Sequence, residues 1–468
     1  MRTSLSNPLT GIKQSQTVLI IFASTLVSVM GVSLLSNPLT GIKQSQTVLI
    51  IFASTLVSVM GVSLISPALP TIQAAWNISA SQASLLISAF TLPGIVLTPF
   101  IGLIADRVGR KRVLVPSLFL FGVSGIVVVF VDGFTTLLGL RVVQGTAGSA
   151  IMSLTVTLLG DLFSGEQQSR LIGLNAAILA IGAAGYPLLG GGLALLSWAA
   201  PFVCFGLGIV VAVAGSAVLP EPQSSMGSSG LSYVANAARS VAVAGSAVLP
   251  EPQSSMGSSG LSYVANAARS VPTRLALGLY IAIFGIFFIL YGAQLTVIPF
   301  ILDESYGLSS GAIGLLLGLP AVTMGLTSSQ SSRLMRHLSP PRLITLGFVT
   351  YGIGMTLAAL APSIPVLAGA LFLFGIGQGF AEPITDTALN TLTPDAFRGG
   401  IMSIRTSVLQ FGTTLGPPVF VAVASIVGYP NTLLIAGIAA LALGVSAFGL
   451  LTLSKTAPST RSRSVTDK

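Results

Sequence analysis

Along the chain, long apolar runs alternate with short polar turns. A helix needs about 20 apolar residues to cross the roughly 30 Å hydrocarbon core of a bilayer. Twelve runs meet that length: about Thr47–Ser66, Ala83–Ile104, Val113–Val131, Thr135–Leu159, Leu171–Leu189, Ala200–Leu219, Leu275–Ile298, Ala312–Ser329, Leu343–Ala361, Val366–Leu389, Gly400–Ile426 and Asn431–Leu453. Pro67 and Pro70 should bend or end the first, Ser79 or Ser81 should cap the second, and Asp132-Gly133 should turn the chain after the third. Runs this long predict helices, because the strands of a barrel would be short and would alternate. The aromatic run Phe284–Phe288 is expected against lipid.

Two exact tandem copies complicate the count. Leu5–Leu34 recurs as Leu35–Leu64, and Val211–Ser240 recurs as Val241–Ser270. Repeats kept by packing drift in sequence, so identity over the whole unit points to a recent duplication or to an error in the assembly of the sequence. The first copy carries an extra apolar run, and its insertion would make thirteen spans and move the N-terminus across the membrane. The favoured reading has twelve functional spans with that copy as an appendage. The resulting organisation is an N-terminal segment at 1–46, a six-helix unit at 47–219, a Ser/Gly/Pro-rich linker at 220–272, a second six-helix unit at 273–453 and a basic tail at 454–468.

Composition agrees with this pattern. Only 7% of residues are charged and 52% are hydrophobic, against about 25% charged in soluble domains. The fold class is therefore all-α membrane protein, with lipid as its main solvent. The net charge of +9 does not imply nucleic acid, since no basic stripe interleaves with aromatics. The cations sit in alternate loops: Arg107–Arg112, Arg170, Arg239, Arg269, Arg274, Arg333, Arg336, Arg342, Arg398, Arg405 and the tail fall on one side. Asp132, Asp303 and Glu304 fall on the other. Basic loops stay cytoplasmic, so both termini are expected inside a multi-pass cell (inner) membrane protein. No cleavable signal peptide is evident. Cys204 is the single cysteine, and the single histidine, His337, lies in a basic loop. Neither suggests a metal site or catalysis, and no enzyme signature or cofactor motif is present.

The halves echo each other. Gln144-Gly145 recurs as Gln378-Gly379, and Asp161 recurs as Asp395 at the same offset along the chain. Gly182 and Pro187 match Gly412 and Pro417 at nearly that offset. Parallel repeats of this kind place a substrate site near the midplane, between the halves.

Three motifs carry a specific resemblance. The loop Gly102-(three)-Asp106-Arg107-Val-Gly109-Arg110-Lys111, the fourth-helix run Arg141-Val-Val-Gln144-Gly145, and the fifth-helix run Gly173-(eight)-Gly182-(three)-Tyr186-Pro187-(two)-Gly190-Gly191 resemble signatures of the major facilitator superfamily. The last is similar to that of its antiporters, with Tyr186 where Gly usually precedes the proline. Ser66-Pro-Ala-Leu-Pro70 resembles the end of the first helix in twelve-span drug:proton antiporters. The resemblance implies a twelve-helix major facilitator fold of two pseudo-symmetric six-helix bundles, and a secondary transporter working by alternating access. Proton-coupled efflux of a small amphipathic compound is the leading expectation. The alternatives are a proton symporter or uniporter for a metabolite, and a non-transporting sensor on the same fold. Expected partners are the substrate, protons and lipid, with the chain a monomer.

Residue roles follow in two tiers. Gly102, Asp106, Arg107, Gly109, Arg110 and Lys111 are expected to form a conformational latch, because a loop that served topology alone would need no acid. Its counterpart in the second half, Arg333–Arg342, has Arg336 near the position of Asp106. Arg141 is a cation inside a span, costly unless paired or hydrated. It is expected either to take part in proton coupling or to act as a hydrogen-bond hub with Gln144. Glu382 and Asp386 stand four apart on one face of the tenth helix and can exchange protons, or can serve as wet cavity residues or partners of Arg398 and Arg405. Gly173, Gly182, Pro187, Gly190 and Gly191 set close packing and a bend in the fifth helix. Gln144, Asn175, Tyr291, Gln294, Tyr351, Gln378 and Gln410 are the polar or aromatic candidates to line a mostly apolar cavity.

Overall fold

The computed structural model describes residues 42–221, 273–393 and 398–453. The duplicated N-terminal copy, all but the first two residues of the linker, and the tail lie outside the described residues. Among the described residues, twelve helices are long and apolar enough to cross a membrane: Gln44–Trp76, Ala80–Thr98, Arg110–Phe130, Phe134–Leu162, Gly165–Ala194, Ala200–Val218, Arg274–Glu304, Ser310–Ser328, Pro340–Ala359, Ile364–Leu392, Ile404–Val427 and Tyr429–Thr452. They are called spans 1 to 12 below. The chain is a multi-pass membrane protein, with twelve such helices among its described residues.

Local chemistry explains the breaks. Span 1 is bent rather than ended by its prolines. Its helix Ile42–Ser63 passes through a 3₁₀ turn at Ser66–Ala68 and resumes as Leu69–Trp76. Ser79 caps span 2 in a reciprocal box: its hydroxyl accepts from the Gln82 N–H at 3.1 Å, and the Gln82 side chain accepts from the Ser79 N–H at 2.9 Å. Gly109 separates the helix Ala80–Val108 from span 3 with φ +110°, a backbone region that favours glycine. Span 7 contains a π-helical segment at Leu290–Val297, where the Thr296 hydroxyl donates to the carbonyl of Tyr291, five residues back.

Each half has its own core. Pseudo-symmetry is visible in the glycines. In the first half, a side chain on Gly190 would strike the Leu64 carbonyl of span 1. In the second, one on Gly416 would strike the Phe288 carbonyl of span 7. Span 5 thus leans on span 1 as span 11 leans on span 7. Gly145 likewise abuts the Phe90 carbonyl of span 2, and Gly379 the Met324 carbonyl of span 8. Phe284 and Phe288 are partly exposed and have ring partners on span 11: Phe284 with Phe411 at 6.0 Å and Phe288 with Phe420 at 5.1 Å.

In the first half a file of rings runs between helices. Trp76 meets Trp198 edge to face at 5.2 Å. Trp198, Phe202, Phe205, Phe121 and Phe90 then follow in sequence at 5.5–6.2 Å.

Candidate functional site

The described inter-half hydrogen bonds lie toward the side that carries Asp132, Asp303 and Glu304. The Ser66 hydroxyl donates to the Leu295 carbonyl at 2.5 Å, joining the break in span 1 to the π segment of span 7. The hydroxyls of Thr71 and Ser310 meet at 2.6 Å. Between spans 2 and 11, the Ser88 hydroxyl donates to the Thr414 carbonyl at 2.8 Å, and the Thr414 hydroxyl to that of Thr91 at 2.9 Å. Gln410 lies in the same seam: its amide nitrogen occupies the place where a side chain on Gly94 would begin. Spans 5 and 8 meet backbone to backbone. Gly191 faces the Ser310 carbonyl, Gly314 the Pro187 carbonyl and Gly318 the Ala184 carbonyl, each too close for a Cβ. Toward the basic-loop side, Gly102, Gly173 and Gly325 have open space around them.

Arg141 is fully buried in the first half. Its Nε donates to the Leu86 carbonyl at 3.0 Å and one terminal nitrogen to the Gly61 carbonyl at 2.5 Å. The other donates to Gln144 Oε1 at 2.6 Å. The Phe90 ring lies 4.6 Å from the guanidinium carbon. Spans 1, 2 and 4 are therefore tied by one side chain. None of these partners is a carboxylate.

The second half holds the acids. Asp386 takes a two-pronged pair from Arg405, with Nε donating at 2.6 Å and a terminal nitrogen at 2.5 Å. Glu382, one turn earlier, accepts from the Gln378 amide at 3.3 Å and has no described ion pair. Tyr351 stacks on Phe374 at 4.0 Å, and its hydroxyl donates to the Ile286 carbonyl at 3.3 Å.

The remaining candidates scatter. Asn175 accepts from the Thr55 hydroxyl at 2.6 Å and so links spans 5 and 1. Gln144 is bound up with Arg141 and lies in the first half's interior. Gln410 belongs to the inter-half seam. Tyr291 packs against the cores of both halves, and Gln294 is buried on the same π segment.

At the basic loop, Arg110 pairs with Asp161 at the end of span 4. Beyond span 6, a carboxylate oxygen of Glu221 accepts from the Lys111 N–H at 3.3 Å and crowds the place where a side chain on Gly109 would stand. The Asp106 side chain lies outside the described residues, and Arg107 is exposed. Sequence reading has Asp161 only as half of a repeated pair, and it misses Glu221. The Pro220-Glu-Pro222 run closing span 6 is the available signal.

Comparison with known proteins agrees with this architecture. The Major Facilitator Superfamily profile matches residues 51–292 and 279–467. Quinolone resistance protein NorA of Staphylococcus aureus is 29% identical over 140 residues, which is 30% of this chain and 36% of that protein. The match therefore spans about a third of that relative's length. The bacillibactin exporter of Bacillus subtilis (strain 168) is 24% identical over 351 residues, 72% of this chain and 80% of the relative. Among solved structures, the human organic anion transporter MFSD10 aligns with a TM-score of 0.58 and 19% identity, covering 88% of this chain and 100% of that one. A bacterial homologue of the lysosomal transporter Spinster, solved inward-facing and unoccupied, aligns at 0.67 and 16%, covering 89% and 97%. With the profile matched across both helical bundles, the chain belongs to the Major Facilitator Superfamily and is a membrane transporter, not an enzyme.

Proposed function

We propose that this transporter is a proton-coupled exporter of small amphipathic compounds. It works by alternating access in the cell membrane, as a monomer with its basic loops and both termini in the cytoplasm. The observation that carries the reading is Glu382. Among the described charged residues away from the span ends, Arg141 is satisfied by neutral partners and Asp386 is matched by Arg405. Glu382 has only an amide. A carboxylate inside a membrane span is costly to leave charged, so it calls for a proton or another cation. Relatives named for quinolone resistance and bacillibactin export support the outward direction.

In this reading the halves are closed toward the outside through three seams: spans 1–7, 2–11 and 5–8. Glu382 lies toward the cytoplasmic half of span 10, on the open side. Protonation there would accompany return to this state after substrate release outside. Arg141 contributes by position, holding spans 1, 2 and 4 as one body. The basic turn, Gly102, Asp106, Arg107, Gly109, Arg110 and Lys111, serves as a latch, fastened to the first half through Arg110–Asp161 and through Glu221 at the start of span 3.

The test is substrate accumulation in everted vesicles under an imposed pH gradient, acid inside. Glu382→Gln should insert normally and lose gradient-driven accumulation. Equal transport by Glu382→Gln and wild type would sink proton coupling at this residue. Accumulation indifferent to the gradient would favour uniport.

A further inference from the structure

Gln294 is 3% exposed, and its side-chain carbonyl oxygen has no hydrogen-bond partner. A buried amide oxygen left unpaired is unfavourable, so it persists where another state of the protein or a ligand supplies the donor. Its surroundings narrow the choice. The π segment Leu290–Val297 is where the two cores meet: Leu290 and Tyr291 pack against both, and Leu295 belongs to the first-half cluster although it is a second-half residue. The next carbonyl along, that of Leu295, is already taken by Ser66 across the interface. Gly292, on the same segment, is closed by Phe420 and the Gly416 carbonyl of span 11. The local structure therefore satisfies or covers its neighbours and leaves the buried Gln294 oxygen without a donor in this state. Single-turn π segments inside α-helices recur at functional sites.

Building on the export reading above, we infer that Gln294 is a specificity-determining residue: its carbonyl accepts a hydrogen bond from an N–H or O–H group of the transported compound. The site so defined selects amphipathic molecules with a polar hydrogen on an otherwise apolar or aromatic body. A site that hydrogen-bonds its substrate rejects the analogue lacking the donor, because the acceptor is then left unpaired.

Two lipophilic cations make the comparison: ethidium, which carries aromatic amine N–H groups, and tetraphenylphosphonium, which carries no donor. Binding to purified protein is measured for wild type and Gln294→Leu, with melting temperature recorded without ligand. Gln294→Leu should weaken ethidium about tenfold, the step that one lost hydrogen bond of about 1.4 kcal/mol produces, and leave tetraphenylphosphonium unchanged. Its ligand-free melting temperature should equal or exceed that of wild type, since an unpaired polar atom is removed. A fall in melting temperature would assign Gln294 a structural bond and overturn the inference. Equal effects on the two cations, or none, would overturn it as well. Should wild type bind neither probe, the export reading fails first and this inference with it. Loss confined to Gln294→Leu, with the pH dependence of Glu382 intact, separates the two.

Discussion

Spans 4 and 10 are counterparts, and their differences are concentrated around one shared pair. Both present a Gln followed by a Gly that lets a neighbouring backbone approach, at Gln144-Gly145 and Gln378-Gly379. In span 4 the glutamine serves a cation one turn before it, Arg141. In span 10 it serves an anion one turn after it, Glu382. Neither charge has an equivalent in the other half. Where Arg141 stands in one, Gly375 stands in the other, pressed against the Pro320 carbonyl and the Thr323 hydroxyl. Where Glu382 stands, the first half has Gly148, covered by the Phe90 ring. One scaffold has thus been given a sealed, fully bonded cation in one half and a sparsely bonded acid in the other. Saturation suits a part that must hold its shape. A shortage of partners suits a part that must exchange them.

That contrast can be broken experimentally. The largest effect should come from Arg141→Ala, which removes a buried charge-assisted network and takes the donor from the Gly61 carbonyl and from Gln144 Oε1. A loss of about 1–3 kcal/mol is expected for each buried acceptor left without its donor, seen as lower melting temperature and abolished transport. Survival of the folded protein with transport intact would refute the hub. Glu382→Gln should do the reverse, with proton-driven transport falling about a hundredfold, in the range of a lost acid–base group, while melting temperature holds. Asp386→Asn comes next. It is expected to cost stability, through Arg405, more than coupling, and a coupling loss matching that of Glu382→Gln would erase the distinction between the two acids. Gly94→Ala should disfavour closure of the span 2–11 seam and raise labelling of cysteines introduced there from the outside. Gln410→Ala in the same chain should restore closure, because it empties the occupied volume. The smallest effect is expected for Glu221→Ala, an exposed contact, read as a slight change in transport rate.

Much of this was legible in the sequence. Twelve apolar runs, the alternation of charge between loops and the spaced repeats carry the fold, because a bilayer restricts the chain to helices and leaves topology to the loops. The identities of Arg141, Glu382 and Asp386 were equally plain, since charge inside a span is rare. Their partners were not. Asp386 and Arg405 are 19 residues apart in sequence and on different spans, and Arg141 chooses backbone carbonyls, which every residue possesses. The π segment could not be read either, as the glycine and β-branched residues of Leu290–Val297 resemble those found throughout the other spans. The reach of Gln410 to Gly94 depends on how two halves far apart in the chain come to face each other.

The ring file in the first half has an optical consequence. The chain has two tryptophans, Trp76 and Trp198, and they touch at one place, where span 1 ends and span 6 is about to begin. Intrinsic emission excited at the red edge of the indole band therefore comes from a single spot on the first half. Quenching or a shift of that signal when a compound is added would register movement of that corner alone, without any attached dye, while the second half stays dark.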